Sequence, residues 1–169
     1  MISELELPFT LPSPRSATLR NGTEADLDAL MRLLADDPIS ASRGDVASSA
    51  DTALYLDALR RIIATPSNAL VIVADEDDSP IGTMQLTLIP GMARRGSTRL
   101  LVEAVHVLSE AQSGGIGSAM MRWVMDVAAP ALGSTLVQLT SDAARTDAHR
   151  FYERLGFAPS HIGFKFTVG

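Results

Sequence analysis

The stretch Val105-His106-Val107-Leu108-Ser109-Glu110-Ala111-Gln112-Ser113-Gly114-Gly115-Ile116-Gly117-Ser118 decides how this chain is read. An apolar strand runs into consecutive glycines. It then meets the stripe Ile116, Met120, Trp123, Val124 and Val127, which repeats at helical spacing. Glycines let the backbone turn tightly and leave its N–H groups uncovered. A helix opening at that point adds unpaired donors and a partial positive charge. Together these features make a cradle for a phosphate or pyrophosphate. The same glycines also suit a plain strand-to-helix turn, and on the glycines alone both readings stand open.

Two phosphate-binding patterns fail here. The Walker pattern needs Gly-Lys-Ser/Thr, and no Lys lies in the stretch. The Rossmann pattern, begun at Gly115 and Gly117, needs a third Gly where Met120 stands. The strand also follows a β-hairpin late in the chain, where a first βαβ unit does not belong.

The flanks set the architecture. Upstream, Arg99 to Leu108 is apolar on both faces and reads as a central strand. Before it come a strand at Leu70 to Ala74 and a run at Ile81 to Ile89, joined by an acidic turn as a hairpin. That acidic turn reads as a solvated loop and not as a metal site. Leu27, Leu30, Met31 and Leu34 stripe a helix over 24–36, and Tyr55, Leu59 and Ile62 stripe another over 51–64. Residues 37–50 read as the loop between them. A short strand is expected at Ala17 to Arg20. Downstream lie a buried strand at Leu136 to Thr140, a helix striped by Ala148, Phe151, Tyr152 and Leu155, and a closing strand at Phe164 to Val168. The order β-α-α-β-β-β-α-β-α-β is mixed α/β and excludes a barrel or a doubly wound sheet.

The chain has 169 residues, 46% hydrophobic and 20% charged, which suits a single domain with its own core. Residues 1–15 read as an extended arm because Pro8, Pro12 and Pro14 oppose helix, and 16–169 as the domain. The absence of cysteine excludes a disulfide scaffold, Cys-ligated metal and a cysteine nucleophile. No metal spacing is present. A net charge of −6 argues against nucleic acid or an anionic membrane as partner. No transmembrane run or signal peptide is seen, so a cytoplasmic location is the default. The proline-rich arm and open sheet edges leave room for a homodimer.

Gln112-x-x-Gly115-x-Gly117 after an apolar strand resembles the Gln/Arg-x-x-Gly-x-Gly/Ala signature of the GNAT N-acetyltransferases. Ala148-His149-Arg150-Phe151-Tyr152-Glu153-Arg154-Leu155-Gly156-Phe157 resembles that family's second motif. The strand Val102 to Val107 resembles the one that precedes the family's cradle. The order of elements matches over about nine-tenths of the chain.

The resemblance implies the GNAT fold: a mixed, mainly antiparallel sheet with helices on both faces and a splayed central strand pair. It also implies an acetyl-CoA-dependent N-acetyltransferase with no metal. The pyrophosphate would lie on the backbone of Gln112, Ser113, Gly114, Gly115, Ile116, Gly117 and Ser118. The pantetheine would run along Val105 and Val107, where a backbone N–H faces the thioester carbonyl as an oxyanion donor. Glu103 is the candidate base, since a charge in an apolar strand needs a use or a partner such as Arg99. His106 is the second candidate and points to the opposite face if strict alternation holds. Tyr152 matches the family's acid for the leaving thiolate; a phenol stays protonated at neutral pH. Phe151 reads as packing. Arg145 stands where the family often has Asn and is a candidate contact to phosphate or pantetheine. Without cysteine, transfer to a primary amine is direct, with no acetyl-enzyme.

The acceptor is expected to be a small-molecule amine, with a protein N-terminus or lysine as the second choice. A non-catalytic acyl-CoA-sensing module is the alternative of another class. Asp36, Asp37 and Asp45 suit a cation while Arg94 and Arg95 suit an anion, so the loops point both ways. Family members often carry basic residues at the positions of Gln112 and Gly114, and this chain has neither. The motif therefore predicts weak cofactor affinity. Gln112→Arg should tighten CoA binding in a salt-dependent way, as read by calorimetric titration at two ionic strengths.

Overall fold

The structure is a computed structural model that describes residues 2–168, with Ser113 described by its backbone alone. Six strands form one sheet in the order β1-β2-β3-β4-β5-β6. They are β1 (Phe9–Thr10), β2 (Thr18–Asn21), β3 (Asn68–Ala74), β4 (Pro80–Ile89), β5 (Arg99–Val107) and β6 (Leu136–Leu139). All neighbours are antiparallel except β5 and β6, which are parallel. The helices are α1 (Leu27–Ala35), α2 (Pro38–Ser42), α3 (Thr52–Ala64), the short turn α4 (Ala93–Gly96), α5 (Ile116–Trp123), α6 (Ala129–Ala131) and α7 (Thr146–Arg154). This is the mixed, mainly antiparallel architecture expected from the sequence.

The central strands are buried on both faces because helices cover both. Leu30 and Leu59, from α1 and α3, pack on Leu70 and Ile72 of β3. On the other face Met120, Trp123 and Val124 pack on Val71, Val73, Met84, Leu86, Leu100 and Val102. Each such side chain, when fully buried, contributes about 1.5–3 kcal/mol. No described helix is long and apolar enough to cross a membrane.

Three local differences from the sequence reading have physical causes. First, the loop after α1 contains α2. Asp37 caps it, its Oδ1 accepting from the N–H groups of Ile39 (3.0 Å) and Ser40 (3.4 Å), and Pro38 opens it. Second, the N-terminal arm packs on the domain. Phe9 and Thr10 pair with Leu19 and Thr18, Leu11 is buried, and the Phe9 ring lies 6.2 Å from that of Trp123. Third, Phe164 to Val168 forms no strand. Ile162, Phe164, Phe166 and Val168 are 83%, 93%, 90% and 84% exposed. Alternation of apolar residues makes a segment able to pair, but a strand forms only where an edge meets it.

A polar knot fixes the start of the α1 layer. Arg20 donates to both oxygens of Asp26 (2.8 and 3.0 Å), and Asp26 also accepts from the Thr23 N–H (2.8 Å). Burial pushes the Asp26 carboxyl up, but the Arg20 and Thr23 bonds outweigh it and hold the carboxyl below 3.8. Asp26→Ala leaves Arg20 half-buried and without this partner. It should cost on the order of 3 kcal/mol in denaturant unfolding at neutral pH. The knot's contribution is full above pH 3.8 and is lost as pH falls through the lowered folded value, so the difference between wild type and variant should shrink in acid.

Candidate active site

The site begins where β5 and β6 part. Their ladder runs from Arg99↔Leu136 to Val102↔Leu139 and stops, while β5 continues to Val107. Residues 103–107 therefore have an edge with no strand beside it, as the expected splay requires. On the other side β4 and β5 are bulged. Gln85 pairs with Glu103 and Thr83 with His106, so one extra β5 residue is accommodated, and Ala104 takes φ 48°. Gly82 makes this possible, since a Cβ there would lie 2.9 Å from the His106 carbonyl oxygen.

The bulge changes which side chains meet. Directly paired residues share a face, and Thr83 and Gln85 lie two apart on β4. Glu103 and His106 therefore lie on the same face, that of α1 and α3, and not on opposite faces as strict alternation had it. Val105 and Val107 pack with the α5 layer. Glu103 is exposed and makes no ion pair with Arg99. His106 is half-buried, and that desolvation pushes its imidazole below 6.5, with Asp37 opposing the shift and Arg145 adding to it.

The cradle follows β5 directly. Ser109–Gly114 is a 3-10 turn, Gly115 takes φ 72° as N-cap, and α5 starts at Ile116. Only a residue free of a Cβ holds that φ without strain. The Gln112 side chain donates to the Val107 carbonyl at 3.1 Å and so clamps the turn to the end of β5. Asp36 at the end of α1 accepts from the Ser109 N–H at 2.8 Å. Gly117 in the first turn of α5 faces α7, and a Cβ there would meet the Phe151 ring at 3.6 Å, an ordinary van der Waals contact.

The N-terminal arm lies against the glycine turn. A Cβ on Gly114 would lie 3.3 Å from Arg15 Cβ, and one on Gly115 3.5 Å from Pro14. The exposed Arg15 side chain thus passes beside the position where relatives often carry a basic residue. Sequence reading missed Arg15, because only the pairing of the arm with β2 brings it there. Its signal was indirect: a motif short of charge and a lone Arg among prolines.

Tyr152 is half-buried between Phe151 and Phe157, with ring centroids 5.1 and 5.8 Å away. Burial pushes its phenol above 10, so it is protonated at neutral pH. Arg145 is ion-paired with Asp37, and Arg43 with Asp142. These pairs tie the two residues that flank α2 to the β6–α7 loop, near His106. The three acidic residues offered for a cation are engaged: Asp36 with Ser109, Asp37 with Arg145 and the start of α2, and Asp45 with the Tyr55 hydroxyl. No group of three metal-ligating side chains occurs among the described residues.

The profile of the acetyltransferase (GNAT) family matches residues 27–157. The chain belongs to that family. It is 38% identical over 66 residues to the aminoalkylphosphonate N-acetyltransferase of Salmonella typhimurium, a match spanning 39% of this chain and 41% of that protein. A structure described as a transcriptional regulator from Bacillus halodurans is 35% identical, covers 90% of this chain and 99% of its own, and superposes with a TM-score of 0.84. The glucosamine-6-phosphate N-acetyltransferase of Arabidopsis thaliana shares the fold at 16% identity and TM-score 0.71, over 90% of this chain and 99% of its own.

The geometry around His106 gives a direct check. Its ring should titrate below pH 6.5 by NMR. Asp37→Asn should move the value further down and Arg145→Gln up, since the carboxylate favours the imidazolium and the guanidinium opposes it. A wild-type value at or above 6.5 would contradict the burial.

Proposed function

We propose that the chain moves an acetyl group from acetyl-CoA directly to a primary amine of a small molecule. The observation that carries this reading is the divergence of β5 from β6 immediately before the Gly115 cradle. An open strand edge and a helix N-terminus in sequence suit an extended amide chain ending in a pyrophosphate. The cradle residues Gln112, Ser113, Gly114, Gly115, Ile116, Gly117 and Ser118 fit this group. Gly114 and Gly115 carry no Cβ to fill the space, and Arg15 adds the missing cation. Val105 and Val107 offer backbone groups to the pantetheine. Arg145 borders the same cleft while it holds Asp37.

Glu103 takes a proton from the alkylammonium, directly or through water, and the freed amine attacks the thioester carbonyl carbon. A backbone N–H near Val107 stabilises the resulting oxyanion. As the C–S bond breaks, the Tyr152 hydroxyl gives its proton to the sulfur, and the nitrogen, positively charged after its attack, loses its second proton to water to leave the neutral amide. Solvent then resets both side chains. His106 competes for the first role, because the bulge places it on the face of Glu103 and burial keeps it neutral. Similarity to an aminoalkylphosphonate N-acetyltransferase supports a small acceptor. A cytoplasmic location is part of the same proposal.

Calorimetric titration with acetyl-CoA tests the reading. Wild type should bind well below millimolar concentration. Ser118→Asp puts a charge in the first turn of α5 that helps the helix but repels phosphate, so binding should weaken at least about 10-fold with thermal stability retained. Arg15→Gln should weaken binding several-fold, and less at high salt. In CoA-release assays with amine pools, Glu103→Gln or His106→Gln should lower kcat about 100-fold, whichever is the base, and remove the acid limb of the pH profile. Binding without turnover on any amine would favour the sensing module. Absence of wild-type binding at millimolar ligand would overturn the proposal.

A further inference from the structure

Acetyl transfer needs a place for the group that carries the reacting amine. Glu103 and His106 share the face of α1 and α3, so that group lies on this side of β5. Two arginines border it. Arg145, at the N-cap of α7, acts electrostatically on both His106 and Tyr152, so its charge is within reach of the candidate base and the candidate acid alike. Arg43 follows α2 and is ion-paired with Asp142 of the β6–α7 loop. Arg94 and Arg95, which the sequence offers equally for an anion, lie in α4, before the first residue of β5 and so at the opposite end of that strand from His106.

Both guanidiniums have donors to spare. Each gives one nitrogen to its carboxylate, Arg145 Nη1 to Asp37 Oδ2 and Arg43 Nη2 to Asp142 Oδ2. A guanidinium carries five N–H donors in a fixed fork. The remaining donors of both have no protein acceptor among the described residues. The two side chains are 49% (Arg43) and 27% (Arg145) exposed, so a ligand can reach them. They also act on one spot. The Ala144 N–H first, and then Arg43, Arg145 and Lys165, hold the Asp142 carboxyl below 3.8. Three cations thus meet the carboxylates of Asp37 and Asp142, a local excess of positive charge in a chain of net charge −6. Partly exposed ion pairs are weak, so a ligand oxygen can join or replace a carboxylate there at small cost.

We propose that Arg43 and Arg145 bind an anionic group of the acceptor, a carboxylate or a phosphonate, while the acceptor's ammonium meets Glu103 and His106. The acceptor is then a small zwitterion. This names the substrate class of the acetyl-transfer reading and rests on it. Two forks with free donors suit an oxyacid, which accepts several N–H bonds at once. The Asp142 carboxylate is the internal example of what they take. Asp36 and Asp45 do not repel the ligand's anion at this spot, because Asp36 is bonded to Ser109 and Asp45 to the Tyr55 hydroxyl. Arg145 serves the acceptor on this arrangement, and the pyrophosphate is left to the glycine turn.

The test follows CoA release at saturating acetyl-CoA with short amino acids and aminoalkylphosphonates, each against the amino alcohol of equal length. The anionic acceptor should have the higher kcat/KM, by at least about 10-fold. A preference for either oxyacid supports the proposal, and the two series tell which one the forks take. Arg43→Gln and Arg145→Gln should each erase most of the preference through KM, and Arg43→Lys should restore part of it. Asp142→Asn separates ligand binding from loop holding. It breaks the ion pair yet keeps an oxygen for the Ala144 N–H, now 2.9 Å from Asp142 Oδ1, so the preference should stay or grow. Loss of preference in Asp142→Asn to the same extent as in Arg43→Gln would mean that the arginines only hold the loop, and would overturn the proposal. A second arm needs no turnover and no variant that must stay active. Aminoethylphosphonate added to the wild-type chain, with and without CoA, should shift the arginine Nε–H signals in NMR that Arg43→Gln and Arg145→Gln remove. Such shifts without CoA release from any amine would support the anion site and count against acetyl transfer. Amino alcohols used as well as anionic acceptors, or no shift at millimolar ligand, would overturn the proposal.

Discussion

Everything at the site depends on one irregularity in β5. The bulge at Ala104 inserts a residue between the pairs Gln85↔Glu103 and Thr83↔His106, while β6 ends at Leu139. A regular strand would have sent Glu103 and His106 to opposite faces. Gly82 is the permissive partner, because a side chain there would strike the His106 carbonyl. The strain of one positive φ is offset by the packing of Leu100 and Val102 below it, both buried to 1% exposure or less.

Around that irregularity, charge is used to hold loops. Asp36 grips the N–H of Ser109, Asp37 caps α2 and meets Arg145, and Arg43 meets Asp142. Residues that could have been taken for substrate contacts thus serve to position the cradle and the α2 segment against the β6–α7 loop. The pairs are partly exposed, and exposed ion pairs contribute little to stability individually. Their value lies in geometry: each joins segments far apart in sequence.

The sheet and its main helices were legible because burial imposes period. The stripe through Ile116, Met120 and Trp123 and the doubly apolar β5 are patterns that only a core requires. The cradle was legible because Gly115 needs a positive φ at the start of α5. The bulge was not, since Glu103-Ala104-Val105-His106 carries no glycine to announce it. Arg15 was not either, because its meaning depends on pairing across the sheet that brings residue 9 to residue 19. The last apolar alternation was visible in sequence, but whether an alternating segment is paired depends on an edge that sequence cannot assign.

The arm that carries Arg15 is held by the two residue pairs of β1 with β2, by buried Leu11 and by the contact of Phe9 with Trp123. The glycine turn has, in this chain, a positive neighbour encoded about a hundred positions earlier. Drift in the motif can be compensated from a region that motif searches ignore, and apparent decay of a signature need not mean loss of affinity. Purification tags are a practical case: one fused to the first residues adds bulk and charge beside the arm, and so beside the glycine turn that the arm covers.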